Sequence, residues 1–190
     1  MRRVEFHPVD QLIDEFVATV NARPHERQAE QDVPAALRRG KPDGSWLNWE
    51  VCPSNDANWL GAFEAKLPAR LPPSFRSLVS RYAFPSIKVP PIQLLPNTGE
   101  NVYYEFRNRV FADKSLAEIL LQNGLLQFAQ PAEGDYDPVC FDTKRRASSG
   151  ECPIVRVDHE EILCNSRIKI RQEIAPSFPD LLHKFSKGPT

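Results

Sequence analysis

LLQFAQPAEGDYDPVCFDTKRRASSGECPIVRVDHEEIL, residues 125–163, alternates short apolar runs with clusters of turn-forming residues. That pattern predicts three strands, at 125–129, 138–142 and 154–158, joined by turn-rich loops into an antiparallel meander. Phe128, Val139, Phe141, Ile154, Val155 and Val157 are the side chains offered to the sheet and its core. Gly134-Asp135 marks a turn in which Asp135 bonds neighbouring amides, and Asp142 and Asp158 end their strands. Glu133, Asp135, Asp137, Glu160 and Glu161 are left for solvent or for a partner.

Working towards the amino terminus, Leu116, Ile119, Leu120 and Leu121 follow Ser115 as a short helix closed by Asn123-Gly124. The stretch before it is ambiguous, since Tyr104, Val110 and Phe111 suit a strand or an irregular run. SIKV and IQLL are bounded by prolines, which predicts short or edge strands. LPPSFRSLVSRY reads as an elbow leading into a helix at 74–82 that buries Phe75, Leu78, Val79 and Tyr82, with Pro85 ending it. A further helix is predicted over 56–67, with Trp59, Leu60, Phe63 and Leu67 inward and Ser54 or Asn55 as cap. Trp46 and Trp49 are expected in the core or covering a helix rather than as a stacking platform. Residues 23–53, punctuated by Pro24, Pro34, Gly40, Pro42 and Gly44, read as a long excursion with at most one short helix. Val9, Leu12, Ile13, Phe16, Val17 and Val20 form one stripe of a helix at 8–22 that Pro24 stops.

Towards the carboxy terminus, SRIKIR predicts a strand at 167–171, and Phe178, Leu181, Leu182 and Phe185 line a closing helix at 177–185. The expected fold is α+β, with amino-terminal helices packed on an antiparallel β-meander and a closing carboxy-terminal helix. Residues 1–55 are expected to be a helix and irregular extension packed on an α+β domain at 56–187.

Hydrophobic residues make up 41% of the 190 and charged residues 26%, the proportions of a soluble globular protein. No apolar run approaches the ~20 residues of a membrane span. MRRVEFHPVDQL lacks the continuous apolar stretch of a secretory signal, so the cytoplasm is the expected compartment. A net charge of −1 gives no argument for direct nucleic-acid binding. Residues 133–161 nevertheless carry eight acids (Glu133, Asp135, Asp137, Asp142, Glu151, Asp158, Glu160, Glu161) against four bases. Such a segment is either a wet surface or a negative docking face.

Cys52, Cys140, Cys152 and Cys164 form no C-x-x-C pair, and His159 has no histidine partner at helical spacing, so neither zinc nor any other metal is expected. The cysteines are expected to be reduced, partly buried thiols. The sequence contains no H-E-x-x-H, no G-x-S-x-G and no phosphate-cradling glycine loop. An enzyme would have to be a hydrolase or metal-dependent catalyst built on Asp135, Asp142, Asp158 and His159, with His159 as a general base oriented by a carboxylate.

LPPSFRSLVSRY at 71–82, LLQFAQPAEGDYDPVCFD at 125–142, PIVRVDHEE at 153–161 and SFPDLLHKF at 177–185 occur in the order seen in the SUKH superfamily, which this chain resembles over about 59–185. That superfamily includes fungal cell-wall regulators and many bacterial immunity proteins. The chain departs from it in RYAFPSIKVPPI, where a related domain often has an Asn-Gly-Gly type turn. The resemblance implies a SUKH-like, non-enzymatic protein-binding domain without cofactor. For a bacterial member it implies an immunity protein that neutralises a cognate toxin, often one that attacks nucleic acid. A regulatory scaffold that binds a host protein is the alternative suggested by the fungal members. Residues matching the family's meander are Gly134, Asp135, Tyr136, Phe141, Asp142, Asp158, His159 and Glu160. The partner surface expected from both readings comprises Glu133, Asp135, Tyr136, Asp137, Asp158, His159, Glu160 and Glu161, with Tyr136 or Tyr103 as aromatic anchor.

Overall fold

A computed structural model describes residues 8–23, 28–54, 58–100 and 104–187. Its centre is a six-stranded sheet of β6 (Ile87–Val89), β7 (Ile92–Leu94), β8 (Leu125–Pro131), β9 (Val139–Asp142), β10 (Ile154–Val157) and β11 (Ile170–Ala175). Every neighbour in the sheet is a neighbour in the chain and runs antiparallel, so the whole sheet is a meander. β6 and β7 meet across a cis Pro90-Pro91 bond. β6 is an edge as predicted, but β7 is interior, bonded to β6 and β8. The prolines flank β7 without entering it, so its ladder is intact.

Helices cover both faces of the sheet. On one lie α1 (Pro8–Ala22), α2 (Trp59–Glu64), α3 (Pro73–Arg81), α4 (Phe106–Ala112) and α7 (Phe178–Lys187). On the other, α5 (Lys114–Gln122) and α6 (His159–Asn165) pack Leu120 and Ile162 against Leu125, Cys140, Val155 and Val157. The main core is centred on Phe75. Its ring lies 5.1–5.4 Å from those of Phe106, Phe128, Phe141 and Phe178. Phe128 and Phe141 stack at 3.8 Å across β8 and β9.

The elbow places Phe75. Pro73 occupies the first turn of α3, where its missing N–H leaves no bond unmade. The Ser74 N–H and hydroxyl both donate to Glu151, at 2.9 Å each, tying the elbow to the loop before β10. Burial pushes the Glu151 carboxyl up, against the hydrogen bonds from Ser74.

Several sequence expectations need correction. Residues 28–49 are not irregular: β1 (Gln28–Ala29), β3 (Trp46–Trp49) and β2 (Arg38–Asp43) form a three-stranded antiparallel sheet. β2 reads RRGKPD and has no buried residue, so it carries no period-two signal, and it is held by pairing with β3. Arg38 reinforces it, donating to the Val33 and Glu30 carbonyls and to the Glu30 carboxylate. Trp46 is 49% exposed, whereas Trp49 packs on the main core. Three residues apart on one strand, the two rings point to opposite faces.

The ambiguous stretch before 115 is helical, as α4. Asp113 separates it from α5 by capping α5, its side chain accepting the Leu116 N–H, and that break hides a single helical period. Residues 159–165 form α6, a helix the sequence reading did not place, and the last strand is 170–175, not 167–171. The 74–82 helix ends at Arg81, and Tyr82–Ala83 instead form β5, paired with β4 (Cys52–Pro53). The helix expected over 56–67 is described only as Trp59–Glu64. Its predicted start at Asp56, the Asn55 cap, the stop at Pro24, Tyr103 and the 55/56 boundary lie outside the described residues.

Gly124 closes α5 as predicted, with φ +74°. A Cβ there would sit 2.9 Å from Lys144 Cγ and 3.0 Å from Thr143 Oγ1, which itself donates to the Gly124 carbonyl at 2.7 Å. Gly124→Ala is expected to cost about 1–2 kcal/mol through the left-handed backbone, read as a lower urea midpoint. An unchanged midpoint would contradict this account of the α5–β8 turn.

Candidate functional site

Asp135, Asp137 and Asp158 gather where β9 begins and β10 ends, while Asp142 and Glu151 lie at the opposite edge of that antiparallel pair, and most of these acids are engaged within the chain. Arg156 occupies an inward position of β10, on the face of Ile154. A guanidinium there requires carboxylates, and the β8–β9 loop supplies them. Arg156 Nε donates to Asp137 Oδ2 at 2.7 Å and its Nη2 pairs with Asp135. Asp137, fully buried, also accepts the His159 N–H at 3.1 Å, lies 2.8 Å from His159 Nδ1 and 3.3 Å from Arg171 Nη1. Asp158 caps α6 by accepting the Glu161 N–H at 3.2 Å, and pairs with Arg171 at 3.0 Å and Lys169 at 3.4 Å. The result is a charge-balanced staple across the β8–β9 loop, β10, α6 and β11.

Burial alone would push the Asp137 carboxyl up, but bonds from the His159 side chain and backbone and from Arg156 outweigh it and hold it below the usual range. The Arg171 guanidinium holds Asp158 well below that range too.

Of the eight acids at 133–161, four are buried: Asp137, Asp142, Glu151 and Asp158. Asp142 accepts from Arg145 Nε at 2.7 Å and from the Lys144 N–H. Asp135, His159 and Glu161 are half-buried, and Glu161 accepts from Asn165. Glu133, Tyr136 and Glu160 are exposed, Tyr136 at 79% with its ring 6.0 Å from that of His159. Of the eight residues expected to face a partner, three are therefore exposed, three half-buried and two, Asp137 and Asp158, buried.

Asp135, Asp137 and His159 each bring a ligand atom within 4.8 Å of the others, the spacing a metal ion requires. Arg156 already bonds both carboxylates, with Arg171 beside Asp137, so the chain's own cations supply the positive charge. The enzyme alternative required a carboxylate to orient His159, and Asp137 does so. Asp135, Asp158 and His159 lie together, but Asp142 sits at the opposite edge of the β9–β10 pair, bonded to Arg145, so the four residues of that alternative do not converge.

Sequence reasoning missed Arg156 and Arg171. The signal for Arg156 was present, as an arginine at an inward position of IVRV. The signal for α6 was Asp158-x-x-Glu161, the sequence of a helix amino-terminus. Cys140 and Cys152 are buried, Cys52 is half-buried and Cys164 exposed, all as free thiols. Burial pushes the thiols of Cys140 and Cys152 up, away from reactivity.

Among the described residues, no helix is long and apolar enough to cross a membrane. A family model described as SMI1 / KNR4 family (SUKH-1) matches residues 55–184. No curated protein matches the chain.

Proposed function

This chain belongs to the SMI1 / KNR4 family (SUKH-1), and from that premise we propose that it is an immunity-type protein that binds and neutralises a cognate toxin. Family members bind partner proteins and are generally non-catalytic, so a non-enzymatic, protein-binding role fits the chain. The observation that carries the finer reading is Tyr136, a large ring 79% exposed on a loop pinned by the Asp135–Arg156–Asp137 staple. A tyrosine on a pinned loop has only two side-chain torsions to lose on binding and contributes a large contact area. Glu133 and Glu160 lend negative charge near it, suited to the basic surface with which a nucleic-acid-attacking toxin grips phosphate.

The reading assigns Glu133, Tyr136 and Glu160 to the partner, Asp135 and Glu161 to its rim, and Asp137, Asp158 and His159 to the support beneath. The product of the gene beside this chain's, the expected toxin, should poison a cell that makes it alone, and that cell should survive when the chain is co-expressed. The variant carrying Glu133→Lys, Tyr136→Ala and Glu160→Lys should not protect, although it accumulates to the same level. Full protection by that variant would remove the Tyr136 corner from the interface. If the wild-type chain gives no protection, the immunity reading itself fails.

A further inference from the structure

A second surface is basic rather than acidic, and shares no residue with the Tyr136 corner. Arg70, Arg76, Arg81 and Arg146 line one cleft of about 570 Å³ beside the elbow, between α1, α3 and the loop that carries Arg146. The chain's net charge is −1, so four guanidiniums around one concavity are a local concentration that composition does not account for. The carboxylate in its lining, Asp10, is already engaged by the Ser77 hydroxyl at 2.6 Å and by Arg81 Nη1 at 3.6 Å.

The four cations are not equally neutralised. Arg81 is matched, with its Nη2 2.6 Å from Asp14. Arg76 pairs with Glu64 at 3.3 Å but stays half exposed. Arg146 donates to the carbonyls of Gly150 and Arg70, which fix its plane without cancelling its charge. Glu151, a carboxylate that feels Arg146, is buried and taken up by Ser74. The Arg70 side chain is exposed and makes no ion pair among the described residues. At least two guanidinium charges are thus held at a concave surface without a matching carboxylate, an arrangement that suits planar oxyanions.

We propose that this cleft docks a carboxylate-rich segment of a protein partner. Among the described residues the cleft lining contains no aromatic side chain, so they offer no platform on which a nucleobase could stack. Its apolar floor, Leu71 and Pro73, suits the stems of glutamate side chains. This surface is independent of the toxin reading, since it would serve any acidic protein segment.

The test is fluorescence anisotropy with a fluorescein-labelled octaglutamate peptide, alongside octalysine and an oligothymidine of equal charge. Wild-type protein should bind octaglutamate saturably and octalysine not at all, with affinity falling as salt rises from about 50 to 300 mM. The double variant Arg70→Ala/Arg76→Gln, whose glutamine amide can still donate to Glu64, should keep the wild-type melt. It should bind about ten-fold more weakly or worse, as expected when two charge-assisted contacts are lost. Absence of octaglutamate binding, or equal binding by the double variant, would overturn the proposal. Tighter binding of oligothymidine than of octaglutamate would overturn the assignment to a protein segment.

Discussion

Phe75→Ala is expected to destabilise the protein by about 3–5 kcal/mol, the range for removing a buried aromatic ring. The ring is 1% exposed and meets four others, from α4, β8, β9 and α7. Deleting it opens a void that none of these can fill alone, because Phe128 and Phe141 are held by their own strands and stack on each other. A chain of this length should lose roughly 6–20 °C of melting temperature. Phe75→Leu, which keeps much of the volume, should cost far less. Equal melts for Phe75→Ala and wild type would mean that the elbow does not key the helices to the sheet.

Asp137→Ala should cost about 3 kcal/mol at neutral pH, the low end of the range for breaking a buried ion pair. The low end applies because Arg156 and Arg171, with side chains 23% and 36% exposed, can turn towards water once the carboxylate is gone. The pH dependence separates charge from packing. Asp137 titrates lower in the folded chain than its unfolded value of about 3.9. Its stabilisation is therefore present above that value and lost as pH falls through the folded one. The difference in unfolding free energy between wild type and Asp137→Ala should shrink as pH is lowered below about 4. A difference that stays constant into acid would assign the loss to packing instead. Asp158 shares Arg171 with Asp137, so the same pair of melts in an Asp158→Ala background separates its titration from that of Asp137.

How legible the molecule was depended on whether a residue's surroundings are local. The elbow, the three central strands, α1, the Gly124 closure and α7 were readable because apolar period and turn chemistry agree there. The three-stranded amino-terminal sheet was not, because RRGKPD has no buried residue and depends on β3 for its shape. α4 and α5 blurred into one ambiguous run because Asp113 interrupts a helical period shared between two short helices.

The same distinction holds at the candidate site. Tyr136 was legible as an aromatic in a turn. Asp137, one residue on, reads identically in sequence but is fully buried, because Arg156 and Arg171 arrive from strands 19 and 34 residues away in the chain. An acidic turn is therefore surface or support according to whether a distant cation reaches it. Here one loop is both, since Arg156 takes Asp135 and Asp137 and leaves Tyr136 between them turned outward.

Titration calorimetry of the product of the neighbouring gene, the expected toxin, into the wild-type chain and into Tyr136→Ala tests that division most directly. The account predicts tight, stoichiometric binding by the wild type. Tyr136→Ala should bind at least about ten-fold more weakly, as for an interface hot spot, with a melting temperature equal to that of the wild type. Undiminished affinity in Tyr136→Ala, or no binding by the wild-type chain, would contradict it.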